Sequence, residues 1–330
     1  MPNSPKPGDG FVPRRFLRGG HLQTIASFLL KRRFNLAPGE PRLIEVEPGI
    51  KVLCHCHWQA ERERALTVVV VHGLEGSSES LYMLGIADKG LAAGMNVVRM
   101  NQRNCGGTDH LAATLYHSGL SGDVAAVAQN LIAQDRISSI ALVGFSMGGN
   151  LVLKLAGEWG KNGPPQFRAV AAVCPAADLA ASADALHLPM NRLYEQYFLW
   201  NLRRRMRAKA RMFPQAFDTA RLRGLTSLRD FDDKITAYYC GFQGASDYYA
   251  RASASHVLDR IAVPAFILQA ANDPFIRILP ETRRKILANP WITFVETKDG
   301  GHCSFVGSRD GYDGYWAERQ VVEFLQRFQS

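Results

Sequence analysis

The chain has 330 residues, of which 47% are hydrophobic and 21% charged, as expected for a globular protein with one large domain or two small ones. Its first residues lack the layout of a signal peptide and no apolar run approaches the roughly 20 residues of a membrane span, so we expect a cytoplasmic protein that does not span a membrane. The net charge of +9 is spread widely without a nucleic-acid-binding motif, which argues against a nucleic-acid partner.

An N-terminal lead-in segment, residues 1–42, is predicted to contain one short helix before proline and glycine break the pattern. Two strands are predicted next, over residues 43–46 and 50–58, joined by a hairpin turn. The second contains Cys54 to His57, where cysteine alternates with histidine, the residue types that bind zinc. Because alternate side chains of a strand point to opposite faces, these four cannot converge on one ion, and we expect no metal and no cofactor.

A continuous β-branched run from Ala65 to Val71 predicts a strand that is buried on both faces of a parallel sheet. It ends at His72-Gly73-Leu74, and a turn of this kind can aim a backbone N–H at a substrate carbonyl oxygen. By position, this oxyanion donor is Leu74. A plain glycine turn is the alternative, and His72 itself is interpreted as structural. Strands and helices then alternate at a spacing that predicts parallel β-α-β units.

The stretch from Ser139 to Leu155 combines an apolar run, the pattern Gly-x-Ser-x-Gly and residues with helical spacing, which predicts strand, sharp turn and helix. Side chains at Gly144 and Gly148 would collide in such a turn, so glycine at both positions leaves Ser146 exposed at its tip. We interpret this stretch as a nucleophile elbow, with Met147 as the second oxyanion donor. An ordinary glycine-rich turn is the alternative.

The alternation of strands and helices stops between residues 178 and 260, where aromatic residues, arginines and helix-like segments take over. We expect a helical cap here, inserted into a core of residues 43–177 and 261–330. Such a cap would lie over the carboxyl edge of the sheet, where open α/β folds bind their ligands. Some of its apolar side chains would either line an acyl pocket or form the cap's own core: Leu193, Tyr197, Phe198, Trp200 and Met206.

The alternation resumes with a predicted strand over residues 263–270, and Asp273 follows it in an Asn-Asp-Pro turn. His302 follows the last predicted strand. Ser146, Asp273 and His302 therefore occur in the chain order that a nucleophile elbow requires. His302 would accept the serine proton, and Asp273 would orient the imidazole and stabilise its charged form. Asp178 is the rival acid, with the N-cap of the first cap helix as its alternative role.

Several motifs together resemble the YheT-like α/β-hydrolases over nearly the whole chain: Arg18-Gly-Gly-His-Leu-Gln-Thr, His72-Gly-Leu-Glu-Gly-Ser-Ser, Asn101-Gln-Arg-Asn-Cys-Gly-Gly-Thr, Gly144-Phe-Ser-Met-Gly-Gly-Asn and Gly241-Phe-x-x-x-x-Asp247-Tyr-Tyr. The resemblance implies an α/β-hydrolase fold, with a mostly parallel central sheet flanked by helices, and the triad Ser146, Asp273 and His302. It also implies serine hydrolases whose eukaryotic relatives hydrolyse medium-chain or phospholipid esters or transfer acyl groups to alcohols. Relatives with acyltransferase activity often carry His-x-x-x-x-Asp, whereas His117 and Asp123 here are one residue further apart.

The sequence thus predicts a cofactor-free hydrolase of carboxylic esters, with medium-chain or lipid-like acyl groups, that acts through an acyl-enzyme. An acyltransferase or thioesterase with the same triad, and a catalytically idle fold that binds a lipid or protein, are the alternatives. Two basic clusters, residues 14–33 and 203–211, adjoin apolar residues. They would either contact an anionic membrane peripherally or form solvated faces whose aliphatic stems pack on the core.

Overall fold

A mixed sheet of eight strands lies at the centre of the structure, a computed structural model that describes residues 10–309 and 311–329. The strands pair in the order β1-β2-β4-β3-β5-β6-β7-β8, and only the pairs β1-β2 and β2-β4 are antiparallel. Their bounds are β1 Glu40–Glu47, β2 Ile50–His57, β3 Thr67–Val71, β4 Asn96–Met100, β5 Ile140–Phe145, β6 Phe167–Val173, β7 Ala265–Ala270 and β8 Ile292–Thr297. This mostly parallel sheet confirms the predicted fold class.

Helices cover both faces of the sheet, which is why the central strands are apolar on both sides. Val69 and Val71 of β3 belong to one buried cluster, and Val68 and Val70 belong to the other. The helices described are α1 Gly20–Leu29, α2 Leu81–Ala92, α3 Ser121–Asp135, α4 Met147–Trp159, α5 Leu179–Leu186, α6 Arg192–Met212, α7 Leu228–Phe231, α8 Tyr238–Cys240, α9 Ala245–Ala252, α10 Pro280–Ala288 and α11 Trp316–Leu325. Helices α3, α4 and α10 contact the first cluster, and α2 and α11 contact the second.

The chain between β6 and β7 forms the helices α5 to α9, and a π-helical segment, Asp232–Ala237, joins α7 to α8. These helices share an apolar cluster of their own, in which Leu199, Met206 and Ile235 are buried. We call residues 179–260 the helical insertion. The division of the chain into core and cap domains stays a prediction.

The alternating Cys-His stretch lies on β2 as the sequence predicts. Cys54 and Cys56 are buried in one apolar cluster, whereas His57 Nε2 accepts a hydrogen bond from Arg99 Nε at 3.3 Å on the other side of the strand. All six cysteines carry free thiols, four of them buried. Within the described ranges, no helix combines the length and the apolar character needed to cross a membrane.

Candidate active site

Ser146 occupies a strained turn between β5 and α4. Its backbone has φ 55° and ψ −118°, outside the regions that L-residues commonly adopt. A Cβ at Gly144 would lie 2.2 Å from the carbonyl oxygen of Gly148, and a Cβ at Gly148 would lie 2.3 Å from that of Val71. Only glycine fits at these two positions, as the sequence predicts for a nucleophile elbow.

The turn after β3 lies directly against Ser146, because a Cβ at Gly73 would approach the Cβ of the serine to 3.1 Å. The N–H groups of Gly73 and Glu75 donate to tyrosine hydroxyls at 3.0 and 3.2 Å. In contrast, the hydrogen bonds within the described ranges include none donated by the N–H of Leu74 or of Met147. Within the described ranges, the N–H groups of the residues after Gly73 and after Ser146 thus have no hydrogen-bond acceptor, as donors to an oxyanion would require.

The His72 side chain holds this turn in place through hydrogen bonds. It is fully buried, its Nε2 accepts a hydrogen bond from the N–H of Gln102 at 3.1 Å, and its Nδ1 lies 2.8 Å from the carbonyl oxygen of Gly73. Burial lowers the pKa of His72 to about 4, so the ring is neutral and donates from Nδ1. These contacts agree with the structural role that the sequence suggests for this histidine.

His302 and Asp273 meet where the loops after β8 and β7 come together. Nδ1 of His302 lies 2.8 Å from Oδ2 of Asp273. The other carboxylate oxygen accepts hydrogen bonds from the N–H groups of Phe275 and Ile276 at 3.0 and 2.9 Å, and the side chain is only 1% exposed. The carboxylate is thus held in one orientation, with one oxygen reserved for the imidazole.

The rival acid, Asp178, is engaged elsewhere. Its carboxylate accepts hydrogen bonds from the N–H of Leu279 at 2.9 Å and from Oγ1 of Thr282 at 2.8 Å, both at the start of α10. It occupies the N-cap position of α5 but makes no side-chain hydrogen bond to that helix. The position agrees with the alternative role expected from the sequence, but the carboxylate does not cap α5 and instead links the start of the helical insertion to α10.

The protonation of His302 depends on its carboxylate partner. Burial lowers the pKa of His302, but the charge of Asp273 and the hydrogen bond to it outweigh burial, and together with Cys174 they raise the pKa to about 9. The imidazolium form is therefore stabilised, which is the form that exists after proton transfer from a nucleophile. Within the described ranges, the hydrogen bonds do not include one between Ser146 Oγ and His302 Nε2. Such bonds are often long in apo sites and tighten when substrate binds.

Two features around His302 were not identified from the sequence. Helix α1 supports the histidine loop, because Thr24 Oγ1 accepts a hydrogen bond from the His302 N–H at 2.9 Å, while the Gln23 side chain bonds both the N–H and the carbonyl of Val306. Two thiols, those of Cys174 and Cys303, lie beside the ring. The sequence signal for the support from α1 was the motif that contains Gln23 and Thr24. The signal for the two thiols was that Cys174 comes at the end of a strand and that Cys303 directly follows the histidine.

Two cavities meet at Ser146. The inner cavity, of about 100 Å³, lies under the helical insertion, and its lining is mainly apolar, including Leu115, Ala183, Leu186, Phe231 and Ile276. The outer cavity, of about 370 Å³, is lined by His302 and by polar side chains such as Ser77, Ser80 and Tyr197. Ser146, Leu74 and Phe198 line both. The serine thus stands between an apolar chamber and a more polar one.

The side chains that the sequence suggests for the acyl pocket lie in different places in the structure. Phe198 and Met206 line the inner cavity, and Tyr197 lines the outer one. Leu193 and Trp200 line neither of these two cavities, and their side chains are 86% and 56% exposed. For these two residues, both roles expected from the sequence are wrong, because α6 turns that face to solvent.

Known proteins resemble this chain in sequence and in structure. The pattern of the α/β hydrolase fold family matches residues 67–308. The putative esterase YheT of Escherichia coli (strain K12) is 30% identical, over 96% of this chain and 93% of its own length. The phospholipase ABHD3 of Mus musculus is 28% identical, over 79% of this chain and 63% of its own length. The Pyrococcus furiosus esterase Pf2001 superposes with a TM-score of 0.57 at 15% identity, over 99% of this chain and 100% of that one.

The two acids provide a matched pair of variants. We expect Asp273→Asn to lower kcat by about 10⁴-fold, because an amide favours the wrong imidazole tautomer. Asp178→Asn should leave kcat within a few-fold and lower the free energy of unfolding by about 1–2 kcal/mol through its weakened buried hydrogen bonds. Steady-state kinetics on a soluble ester and urea unfolding measure both effects. The reverse ranking would assign the catalytic acid to Asp178.

The raised pKa of His302 predicts the pH dependence. Only the neutral imidazole accepts a proton, so kcat/KM should rise with pH through an apparent pKa above 6.5, the ordinary value for histidine, and towards about 9. The measurement is kcat/KM on a short ester across pH, with the uncatalysed rate subtracted and circular dichroism recorded at each pH. An acidic limb centred at or below 6.5 contradicts the stabilised imidazolium.

Proposed function

The chain belongs to the YheT-like α/β-hydrolase family and is a carboxylic ester hydrolase, and we propose that it cleaves esters of medium-chain or lipid-like acyl groups through an acyl-enzyme on Ser146. The observation that carries the proposal is the position of this serine. It lines an apolar cavity together with Leu74 and Met147, whose N–H groups donate no hydrogen bond in the described ranges, and it shares the outer cavity with an Asp-paired histidine.

The proposed reaction follows from these positions. Ser146 Oγ attacks the ester carbonyl carbon while His302 Nε2 takes the hydroxyl proton, and the N–H groups of Leu74 and Met147 bind the oxyanion. The tetrahedral intermediate expels the alcohol, which receives the proton from His302, and the acyl group stays on the serine. Water then attacks the acyl-enzyme by the same steps. Asp273 keeps the imidazole oriented and stabilises its positive charge throughout.

The two cavities suggest where the two halves of the ester bind. The inner cavity is apolar, and each buried methylene of an acyl chain contributes about 0.8 kcal/mol, so the acyl group gains most there. The leaving alcohol then lies in the outer cavity, next to the histidine that protonates it. This arrangement supports an apolar acyl group and a more polar alcohol.

The His117 and Asp123 side chains, whose spacing differs from that of acyltransferase relatives, do not meet. His117 lines the inner cavity and makes edge-on ring contacts with Phe242 and Tyr248, and burial lowers its pKa to about 4. Asp123 pairs with Arg103, whose Nε lies 2.6 Å from Oδ2. This arrangement does not favour acyl transfer over hydrolysis.

We also propose that the mouth of the outer cavity contacts an anionic lipid surface. Exposed apolar side chains of α1 and α6 form what we call the apolar rim: Leu22, Ile25, Leu29, Leu193, Tyr197 and Trp200. The two helices touch through the stacked rings of His21 and Tyr194, 5.7 Å apart, and both contribute to the outer cavity. Exposed cations adjoin the rim in sequence: Lys31, Arg33, Arg204 and Arg207.

The basic cluster at residues 203–211 is less free than its sequence suggests. Arg205 Nε lies 3.0 Å from the carboxylate of Glu75, and Arg203 donates to the carbonyl oxygen of Leu225. Lys209 is fully buried. The cations available to a membrane are therefore those outside these contacts, and the rim depends as much on apolar side chains as on charge. A cytoplasmic location stays a prediction.

The direct test of the proposed nucleophile is Ser146→Ala. We expect loss of ester hydrolysis and of labelling by a fluorophosphonate probe, with the fold intact by circular dichroism, because no other group in the proposed reaction can carry the acyl chain. The matched control is Ser138→Ala, which changes an exposed serine two residues before β5 begins. If Ser146→Ala keeps wild-type turnover, the nucleophile lies elsewhere.

The inner cavity predicts the chain-length preference. kcat/KM should rise from acetyl towards medium-chain p-nitrophenyl esters until the cavity is filled. Ala183→Leu, which adds carbon to the cavity wall on α5, should move the optimum to shorter chains. Ala180→Leu, at an exposed position of the same helix, should not. A steady decline from acetyl upwards, or equal shifts in the two variants, would contradict an acyl-binding inner cavity.

The apolar rim predicts peripheral membrane binding. The protein should sediment with phosphatidylglycerol vesicles at low salt and release as salt rises, because its charges are screened over about 10 Å at 0.1 M. Leu29→Gln combined with Leu193→Gln should weaken sedimentation, whereas Leu287→Gln, at a 67% exposed position of α10, should not. Equal binding to neutral vesicles would contradict contact with an anionic surface, and no effect of the double variant would show that the apolar rim is not the contact.

A further inference from the structure

Two thiols flank the candidate catalytic histidine in an arrangement that the proposed reaction does not use. Cys303 Sγ lies 3.8 Å from His302 Nε2, and Cys174 Sγ accepts a hydrogen bond from the Cys303 N–H at 3.4 Å. The two sulfur atoms and an imidazole nitrogen all lie within 4.8 Å of one another. Among the histidine, cysteine and carboxylate side chains that the structure describes, this is the one group of three gathered so closely.

These separations are close to those in a tetrahedral zinc site. Bonds of about 2.3 Å to sulfur and about 2.0 Å to nitrogen place neighbouring ligands roughly 3.5–3.8 Å apart. The Cys303–His302 distance of 3.8 Å already lies at this spacing, and no pair exceeds 4.8 Å, so ligand movements of about 1 Å complete the site. Two thiolates and one imidazole are a donor set that favours soft divalent cations over magnesium or calcium.

Asp273 prepares the imidazole for this role as well. Metal-bound histidines commonly donate their second ring N–H to a carboxylate, which fixes the tautomer and turns the other nitrogen's lone pair towards the ion. Nδ1 of His302 makes this contact with Asp273 at 2.8 Å, which leaves Nε2, the nitrogen beside the Cys303 thiol, free to bind the ion.

An ion from solvent has a path to the group. Cys303 is partly exposed, the His302 side chain is 13% exposed, and both line the outer cavity of about 370 Å³. Only Cys174 is buried. The fourth tetrahedral position therefore faces the outer cavity, from which water or a substrate oxygen would fill it.

We propose that Cys174, Cys303 and Nε2 of His302 bind a thiophilic divalent cation such as Zn²⁺, and that the bound ion switches off ester hydrolysis. Each thiol releases its proton to solvent as its sulfur–metal bond forms. The lone pair of Nε2 is then shared with the metal and cannot accept the proton of Ser146. The inhibition rests on the proposed function, whereas the binding of the ion does not.

Cadmium tests the binding directly, because thiolate ligands bound to Cd²⁺ give a charge-transfer absorption at longer wavelength than those bound to Zn²⁺. Cd²⁺ titrated into the full chain, in the presence of a phosphine reductant, should produce this band and saturate at one ion per chain. Zn²⁺ should displace Cd²⁺ and inhibit hydrolysis of a short ester, and a chelator should reverse this inhibition. Absence of the band, or a disulfide between the two cysteines that survives the reductant, overturns the proposal.

Single substitutions locate the site. Cys303→Ser and Cys174→Ala should each raise the Zn²⁺ concentration for half-inhibition by about 100-fold or more, measured against the metal-free rate of the same variant. Cys240→Ser is the matched control, since Cys240 is a partly exposed thiol of the helical insertion, and it should respond like the wild type. Wild-type inhibition and absorption in Cys303→Ser overturn the proposal. If the band forms in a protein that hydrolyses no ester without metal, the proposed function fails while the metal site stands.

Discussion

The close packing of backbone around Ser146 is the constraint on which the whole site depends. The serine keeps a φ of 55°, a conformation that costs on the order of 1–3 kcal/mol in a non-glycine residue, because the surrounding strands fix it. Its N–H donates to the carbonyl oxygen of Val173 at 2.9 Å, and its own carbonyl accepts from Ala176 at 3.2 Å. A side chain at Gly148 would collide with the backbone at the end of β3. Ser146, the start of α4 and the turn after β3 are thus positioned together by the backbone packing.

The histidine side of the site is assembled from parts of the chain that are distant in sequence. Asp273 follows β7, His302 follows β8, and Thr24 of α1 holds the histidine N–H from 278 positions away. The N-terminal segment is therefore part of the site's support, although the sequence suggests only a lead-in. The same convergence places Cys174, at the end of β6, beside the imidazole. Strands of a parallel sheet bring their carboxyl ends to one edge, so chemical groups accumulate there.

Much of this arrangement could be predicted because local patterns determine it. A continuous run such as Thr67–Val71 is stable only when both faces are covered, and the two glycines around Ser146 follow from hard-sphere contact. The contacts of Thr24 and Cys174 with the histidine loop were not predicted, since the motifs that contain these residues do not record which distant segment packs against them. The exposure of Trp200 was missed for a related reason: helical spacing defines a face but not what covers it. Helix α11, which completes one apolar layer, was not recognised either.

The central claim is that Ser146 carries the acyl group between two chemical steps. Rapid acid quench of the enzyme during turnover of a medium-chain p-nitrophenyl ester, followed by peptide mass spectrometry, tests it directly. The account predicts that the peptide containing Ser146 gains the mass of the acyl group minus one hydrogen, and that this species disappears when substrate is exhausted. Turnover without an acyl group on that peptide, or with the acyl group on the peptide that contains Cys303, would contradict it.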